Sequence, residues 1–221
     1  MRRRPTYLTT EQAAAVYNRI GHWQDTQAFY ESPAVEEMVR LGDFEQARSV
    51  VEVGCGTGAL AERLLSRQLP EDASYLGLDV SSRMVSLSRD RVRPWADRAR
   101  IVRVDGRSAW PIEDHSCDRV VATYVLDLLS PDAIEMFFAE AARVLRSDGV
   151  AAMTSLAPAE RGAARLLSSA WMRLFSLDPR LTAGCRPIVL VHHLPEGWRP
   201  VHRATFRAYG IRSSVLIASH S

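Results

Sequence analysis

The sequence predicts an α/β fold in which helices cover both faces of a doubly wound, largely parallel sheet. Three observations predict it. Segments with strand character alternate with segments of helical spacing between residues 49 and 156. A glycine-rich turn joins the first of these strands to the helix that follows it. Two strands that lie close together near the end of the sequence indicate an antiparallel hairpin at the sheet edge.

Composition places the chain among globular proteins of one domain. It has 221 residues, of which 47% are hydrophobic and 24% are charged. Its formal net charge is only +2, which argues against a protein whose main function is to bind nucleic acid. All 28 basic residues are arginine, so Schiff-base catalysis and a phosphate-binding P-loop lysine are both excluded.

The cysteines and the apolar segments bear on location. The three cysteines (Cys55, Cys117 and Cys185) are widely spaced and form no C-x-x-C pair, which argues against a disulfide framework or a zinc knuckle. No apolar run of about 18 residues and no signal-peptide core is present in the sequence. We therefore expect a cytoplasmic protein with no bound metal and no integral membrane segment, and a homodimer is a further expectation.

The first 48 residues are expected to be helical. Thr9 is a predicted N-cap with Gln12 three residues later, and the helix should reach about Ile20 before Gly21 stops it. A second helix is expected to start at Ser32, with Pro33 in its first helical position.

The middle of the chain alternates between the two periodicities. Predicted strands cover 49–53, 74–80, 101–104, 118–123 and 150–155. Helices are expected at 59–68, after the cap Ser81-Ser82, and from Ser130-Pro131 to about Leu145, with a turn at Asp148-Gly149. A further helix is expected at 159–177, and the terminal hairpin should pair 200–209 with 213–219.

The strand, glycine loop and helix at residues 49–68 are typical of a nucleotide site, because glycine lets a ligand approach the main chain at a helix N-terminus. A plain tight turn is the alternative. Residues 54–59 also satisfy the G-x-G-x-x-A fingerprint of dinucleotide binding, so a nicotinamide cofactor stays open at this point.

Three acidic residues follow or precede the predicted strand ends. Glu52 stands two residues before Gly54, where a carboxylate suits a ligand with a positive amino group better than a pyrophosphate. Asp79 ends the second strand, where a carboxylate accepts hydrogen bonds from ribose hydroxyls. Asp105 follows the third strand and is suited to meet an adenine amino group, with a plain turn residue as the alternative.

These segments together resemble a known family. The run Val50-Val51-Glu52-Val53-Gly54-Cys55-Gly56-Thr57-Gly58 resembles the first motif of the class I S-adenosylmethionine-dependent methyltransferases. The segments 76–81, 105–106, 118–123 and 143–149 resemble its later motifs, so the likeness covers roughly residues 12–156. The subgroup resembles small-molecule, quinone and lipid methyltransferases. The resemblance implies a Rossmann-like sheet of seven strands with the last strand antiparallel.

The resemblance also implies roles for individual residues. The loop Gly54, Cys55, Gly56, Thr57 and Gly58 would cradle the methionine and ribose part of S-adenosylmethionine. Glu52 would help to hold the methionine amino group, and Asp79 with Val80 would border the ribose. Met84, Asp105 and Gly106 would contact adenine, and Thr123 would line the methionine side.

Two residues are candidates on the acceptor side. Tyr17 resembles the aromatic residue that covers the cofactor in related enzymes, with a core tyrosine as the alternative. Asp127 stands where relatives often carry histidine, and it could orient or deprotonate an acceptor. A local hydrogen bond is the alternative role for Asp127.

Four further features have ordinary interpretations that compete with functional ones. His192 and His193 should point to opposite faces of a strand, so they cannot easily share a metal. Arg186 could bind an anionic substrate group, although a surface salt bridge is favoured. The stripe with Trp171 and Phe175 could line an apolar cavity or touch a membrane, although ordinary packing is favoured. The arginines of 89–107 are interpreted as a solvated face.

The sequence thus predicts one methyltransferase domain in four segments. They are an N-terminal helical lid (1–48), a cofactor-binding core (49–156), a substrate-side insertion (157–198) and a C-terminal hairpin (199–221). The expected reaction is O-, N-, S- or C-methylation of a small apolar or amphipathic acceptor. An NAD(P)-dependent oxidoreductase and a non-catalytic nucleotide-binding module are the alternatives.

Overall fold

A computed structural model describes residues 7–20, 28–159, 163–208 and 211–221. Its α-helices are α1 (Thr10–Ile20), α2 (Ala28–Leu41), α3 (Ala59–Arg67), α4 (Ser82–Val92), α5 (Pro131–Val144) and α6 (Ala163–Leu177). Its strands are β1 (Ser49–Val53), β2 (Ser74–Asp79), β3 (Ala99–Arg103), β4 (Cys117–Thr123), β5 (Leu145–Leu156), β6 (Trp198–Ala208) and β7 (Ile211–His220). Short 3₁₀ turns lie at Phe44–Gln46, Arg93–Trp95, Pro179–Thr182 and Leu190–His193.

The seven strands form one sheet in the order β3-β2-β1-β4-β5-β7-β6. Neighbours among β1 to β5 are parallel, whereas β7 runs antiparallel to both β5 and β6. This confirms the predicted fold class, including the antiparallel last strand. Because the strand order reverses between β1 and β4, the carboxyl ends of these two strands border the crevice where such sheets bind ligands.

Each face of the sheet has its own apolar core. On one face, α2, α3 and α4 bury residues such as Met38, Leu64 and Val85 against the strands. On the other face, α5 packs with Phe138 edge-to-face against Trp198, their ring centroids 5.2 Å apart. Helices on both sides explain why β4 is buried along nearly its whole length, including its charged residues Asp118 and Arg119.

The start of α1 follows the sequence closely. Thr9 and Gln12 form a reciprocal capping box, in which the Thr9 N–H donates to Gln12 Oε1 at 3.0 Å. In return, the Gln12 N–H donates to Thr9 Oγ1 at 3.3 Å. The predicted cap is therefore confirmed, while the expected stop at Gly21 and the aromatic Trp23 lie outside the described residues.

The predicted starts of two helices are wrong. Helix α2 begins at Ala28, so Pro33 lies inside it rather than in its first position. Proline removes one backbone hydrogen bond there, but Ala34 and Met38 are fully buried against the sheet, and this packing outweighs the local cost. Helix α6 is described from Ala163 onwards, and residue 159, the predicted start, is not helical.

The turn predicted at Asp148-Gly149 is also wrong, because β5 already begins at Leu145 and contains both residues. The pairing of β4 with β5 shifts register between Cys117 and Arg119, which is where the extra residues are accommodated. A Cβ on Gly149 would lie 2.8 Å from a Leu145 methyl group, so this irregular segment needs glycine for space.

The cap of α5 provides a test of local stability. The Ser130 hydroxyl accepts a hydrogen bond from the Ala133 N–H at 3.2 Å. We expect Ser130→Ala to lower the free energy of unfolding by about 1 kcal/mol, because it leaves one N–H of the first turn unpaired. Urea denaturation followed by circular dichroism measures this. Ser86→Ala on the exposed face of α4 is the control and should cost much less; an equal loss in the two variants would contradict the capping role.

Candidate cofactor and acceptor site

The glycine loop joins β1 to α3 and requires glycine at several positions. Gly54, Gly56 and Gly58 have φ values of 70°, 52° and 81°, in the left-handed region that side chains disfavour. A Cβ on Gly54 would lie 2.4 Å from a Val125 methyl group, and one on Gly58 would lie 3.0 Å from the Ser88 Cα. The loop is therefore both tightly turned and tightly packed.

Backbone and side-chain hydrogen bonds hold the loop against its neighbours. The N–H groups of Gly54 and Cys55 both donate to the Leu78 carbonyl, at 2.7 and 3.0 Å. Thr57 is buried, and its hydroxyl accepts a hydrogen bond from Arg91 at 3.0 Å. These contacts fix the loop between the end of β2 and helix α4.

Asp79 connects the glycine loop to the turn after β2. Its Oδ2 accepts from the Gly56 N–H at 2.9 Å, and its Oδ1 accepts from the Ser81 N–H at 2.8 Å. The side chain is nearly buried, and this burial raises the pKa of Asp79 despite the backbone hydrogen bonds. The carboxylate is thus positioned at the mouth of the loop, with further lone pairs beyond these two bonds.

Glu52 is deeply buried, although its position near a strand end indicated a more exposed side chain. It is 1% exposed, and its Oε2 accepts a hydrogen bond from the Tyr75 hydroxyl on β2. Burial raises the pKa of Glu52 to about 8, and the nearby charge of Asp79 acts in the same direction. The sequence analysis missed Tyr75, although its position opposite Val50 puts it on the same face of the sheet as Glu52.

Asp105 and Gly106 form the turn after β3. Both oxygens of Asp105 are used within this turn, accepting from the Arg107 N–H, the Ser108 N–H and the Ser108 hydroxyl at 2.6–2.9 Å. These hydrogen bonds lower the pKa of Asp105 to about 2. Asp105 therefore has the role of a turn residue, which the sequence left open as an alternative. Its contact with adenine stays a prediction.

Apolar residues line the neighbourhood of this turn. A Cβ on Gly106, whose φ is 71°, would lie 3.2 Å from a Val80 methyl group. Met84 is fully buried in the first turn of α4, and its N–H donates to the Ser81 cap at 3.1 Å. Val80 is therefore next to the turn after β3 and Met84 is next to the turn after β2, and their contact with adenine stays a prediction.

Helix α1 lies across the same strand ends. The Asn18 Oδ1 accepts from the Ser81 hydroxyl at 2.7 Å and from the Arg83 N–H at 3.2 Å. Nearer its start, Glu11 forms an ion pair of 2.9 Å with Arg107. Tyr17 is half-buried next to Asn18. The helix thus spans from the turn after β2 to the turn after β3.

The segment after β4 forms the other wall. Thr123 is half-buried at the end of β4, opposite Thr154 on β5. Tyr124 follows with a φ of 53°, which is unusual for a residue with a side chain, and its hydroxyl donates to Ser213 Oγ at 2.8 Å. The sequence analysis did not single out Tyr124, because no sequence signal marks a positive φ at a tyrosine. Strained backbone of this kind clusters at functional sites.

Asp127 is completely buried three residues further on. Its Oδ2 accepts from the Leu156 N–H at 3.4 Å, whereas its Oδ1 has no hydrogen-bond partner among the residues that the structure describes. Burial raises the pKa of Asp127 to about 7. A carboxyl group in this state can exchange a proton near neutral pH, which suits a general base.

The position of Arg186 contradicts the sequence-based interpretation of this residue as part of a surface salt bridge. It is only 6% exposed, and it forms no ion pair within the described residues. Its guanidinium donates to the Asp127 carbonyl at 3.0 Å and lies 4.8 Å from the centre of the Tyr7 ring. Burial lowers the pKa of Arg186. A charged group therefore lies on the acceptor side of the crevice.

The remaining candidates lie at different distances from this crevice. Phe175 is buried and its ring contacts Tyr7, whereas Trp171 is one-third exposed and donates to the Cys185 carbonyl at 2.9 Å. His192 and His193 are on a 3₁₀ turn rather than a strand, so the argument from opposite faces was wrong. They line a cavity of about 440 Å³ beside α5, away from the glycine loop.

The described ranges contain neither a metal-ligand cluster nor a membrane-spanning helix. Within 7–20, 28–159, 163–208 and 211–221, no cluster of three or more His, Cys, Asp or Glu residues could hold a metal ion. In those same ranges, each helix is too short or too polar to cross a membrane.

Comparisons with known proteins agree with this geometry. Residues 50–149 match a family described as a methyltransferase domain. The chain is 27% identical to a malonyl-[acyl-carrier protein] O-methyltransferase of Marinomonas sp. over 76% of this chain and 57% of that protein. It is 26% identical to the tRNA N(3)-methylcytidine methyltransferase Mettl2 of Drosophila melanogaster over 58% of this chain and 39% of that protein. The chain thus spans about half the length of these curated relatives.

A solved structure extends the likeness over nearly the whole fold. The [4+2]-cyclase SpnF superposes with a TM-score of 0.68 over 97% of both chains, at 18% identity. At this identity the likeness concerns the fold alone, which is the Rossmann-like sheet of the class I methyltransferases. Residues 50–149 thus match a methyltransferase domain, and the sheet that contains them has the fold of the class I S-adenosylmethionine-dependent methyltransferases.

Proposed function

We propose that the protein transfers a methyl group from S-adenosylmethionine to a small acceptor. The observation that carries this proposal is the bridge between Asp79 and the glycine loop, in a domain of this family. When bound, the cofactor supplies an activated methyl group on a sulfonium. The protein then has to position the acceptor in line with the sulfur–carbon bond and exclude water from it.

The two carboxyl groups beside the loop fit this cofactor better than a dinucleotide. Glu52 lies one residue before the end of β1, Asp79 ends the neighbouring β2, and the charge of Asp79 contributes to the raised pKa of Glu52. A pyrophosphate would bring further negative charge beside Asp79, whereas a methionine ammonium group would favour the ionised form of Glu52 and ribose hydroxyls can donate to Asp79. Glu52 would thus bind the amino end and Asp79 the ribose, with the other loop and strand-end residues in the roles expected from the sequence.

On the acceptor side, Asp127 would take the proton of a weakly acidic acceptor. Its unpaired, buried Oδ1 supports this role, because such an atom lacks the partner that it would need in a purely structural position. Tyr17 on α1 would cover the methyl group and keep water away. The aromatic residues Phe175 and Trp171 favour an apolar or amphipathic molecule, and the name of the Marinomonas relative is consistent with a lipid-like one.

Calorimetric titration with S-adenosylmethionine and with NADH separates the main alternatives. We expect binding of the former and none of the latter; tight NADH binding would favour an oxidoreductase. A methyl-transfer screen of quinols, phenols, amines, thiols and carboxylic acids follows. Cofactor binding with no acceptor turned over would favour a binding module, and the cyclase among the structural neighbours makes a different reaction on this fold a third outcome.

We also predict that the protein does not bind nucleic acid tightly at physiological salt. Its net charge is only +2, and nucleic-acid binding depends chiefly on phosphate neutralisation. An electrophoretic mobility-shift assay with tRNA and with duplex DNA measures this; tRNA is the sharper probe because one relative is named as a tRNA methyltransferase. Sub-micromolar, salt-sensitive binding would overturn the proposal of a small acceptor.

The arrangement into a lid, a core, an insertion and a hairpin stays part of this proposal. The contacts of α1 with the β2 and β3 ends support a covering role for the N-terminal segment. The cytoplasmic location and the homodimer stay predictions, to be checked by cell fractionation and by light scattering.

A further inference from the structure

The buried guanidinium of Arg186 is a feature that the methyl-transfer site leaves unexplained. Arg186 is 6% exposed and forms no direct ion pair with a described residue, although the charge of the Asp127 carboxyl group acts on it from further away. Removing a cation from water is costly unless the charge is paired and hydrogen-bonded. Arginines this deeply buried are therefore normally matched by a carboxylate or a phosphate.

The contacts of Arg186 use only part of its hydrogen-bonding capacity. Its backbone N–H and one guanidinium nitrogen both donate to the Asp127 carbonyl, each at 3.0 Å. The Tyr7 ring lies 4.8 Å away, and the Tyr7 hydroxyl is a further hydrogen-bond partner. A guanidinium has five N–H donors in a fixed planar fork, so these partners orient the group without exhausting it.

The position of Arg186 relates it to the methyl-transfer crevice. Val125 packs directly against Gly54 of the glycine loop, and Asp127 lies two residues beyond it. Arg186 is bound to the backbone of Asp127, so only this short segment separates the guanidinium from the loop. The Asp127 side chain carries a buried atom, Oδ1, that has no hydrogen-bond partner among the described residues. The guanidinium and this carboxyl group thus both belong to the short stretch of structure next to the glycine loop.

We propose that Arg186 binds a carboxylate group of the methyl acceptor. This inference rests on the proposed methyltransferase function and narrows its substrate class to molecules with a carboxylate and an apolar body. A planar carboxylate matches the guanidinium fork with two parallel hydrogen bonds. It also carries a single charge, so it costs less to bury beside Asp127 than a phosphate would.

The Asp127 carboxyl group is close enough for its charge to act on Arg186, and when ionised it opposes a second anion at this place. Burial raises the pKa of Asp127 to about 7, so its carboxyl group is partly neutral at neutral pH. Replacing it with asparagine removes the opposing charge altogether. The two residues should therefore act in opposite directions on the binding of a carboxylate, and this contrast makes the inference testable without knowledge of the natural acceptor.

The test uses the full chain saturated with S-adenosylhomocysteine and titrated with octanoate and with octanamide, its neutral analogue, in a calorimeter. We expect the wild-type protein to prefer octanoate at least about tenfold, because a charge-assisted pair is worth at least one factor of ten. Arg186→Met should abolish this preference. Arg186→Lys should retain part of it, and Asp127→Asn should leave it unchanged or increase it.

Arg203→Met is the matched control. Arg203 lines a separate cavity of about 440 Å³ near Ile188 and Val189, where an anion could also bind. Loss of the preference in Arg203→Met but not in Arg186→Met would overturn the proposal, as would a wild-type protein that binds both probes equally. If Arg186→Met does not fold, the proposal is tested by the preference of the wild-type protein for octanoate and by the smaller preference expected for Arg186→Lys. Failure to bind S-adenosylhomocysteine would instead refute the proposed function, so the two failures are distinguishable.

Discussion

Replacing Asp79 with alanine is expected to weaken S-adenosylmethionine binding at least about tenfold. The carboxylate would lose its hydrogen bonds to the ribose, and a hydrogen bond to a charged group contributes about 1.5–3 kcal/mol. The substitution also removes the acceptor of the Gly56 N–H and the Ser81 N–H, which hold the loop in place. Calorimetry on the folded variant gives the dissociation constant directly.

Asp90→Ala is the control for this substitution. Asp90 is an exposed carboxylate on α4, so its loss changes the net charge equally without touching the glycine loop. Gly56→Val is a second variant of the same site and is also expected to weaken cofactor binding. The φ of 52° at Gly56 is unfavourable for a branched side chain, so the substitution should distort the loop. Wild-type affinity in both folded site variants would show that the cofactor does not bind at this loop.

Asp127→Asn is expected to lower turnover by about 100-fold or more while leaving cofactor affinity nearly unchanged. Positioned acid–base groups typically contribute factors of about 100 to 10,000, and this variant keeps the shape of the side chain but removes its basicity. Because the pKa of Asp127 is raised to about 7, the base is ionised above that pH. Wild-type turnover should therefore rise as the pH increases through about 7 and then level off.

The pH profile separates a base from a structural residue. Asp127→Asn should be flat across this range, and Asp132→Asn, at the exposed start of α5, should behave as wild type. Tyr17→Ala should also lower turnover more than affinity, and Tyr17→Phe should preserve turnover because it keeps the covering ring. Wild-type turnover in both Asp127→Asn and Tyr17→Ala would contradict the base and the cover, whereas the cofactor site would stand on Glu52 and Asp79.

Much of the fold could be predicted because its signals are local. The capping box at Thr9, the serine caps of α4 and α5, and the strands β1, β2 and β4 are specified within a few residues of each position. The glycine loop could also be predicted from the sequence, since a left-handed backbone is readily adopted by glycine. Errors occurred where packing outweighed a local preference, as at Pro33 inside α2 and at the register shift of β5.

For the candidate site, too, part could be predicted from the sequence and part could not. The residues near the strand ends on the cofactor side could be predicted, because motif spacing follows chain order; they are Glu52, the glycines, Asp79 and Asp105. Their contacts could not be predicted, since the pairing of Glu52 with Tyr75 and the hydrogen bonds of Asp105 within its own turn depend on the folded structure. The acceptor side was beyond local signals altogether. Arg186 is 59 residues from Asp127 in the chain, and nothing near either residue reveals that burial brings them together. Such a contact depends on desolvation and packing across the whole fold, and these arise only once the sheet and its covering segments have assembled.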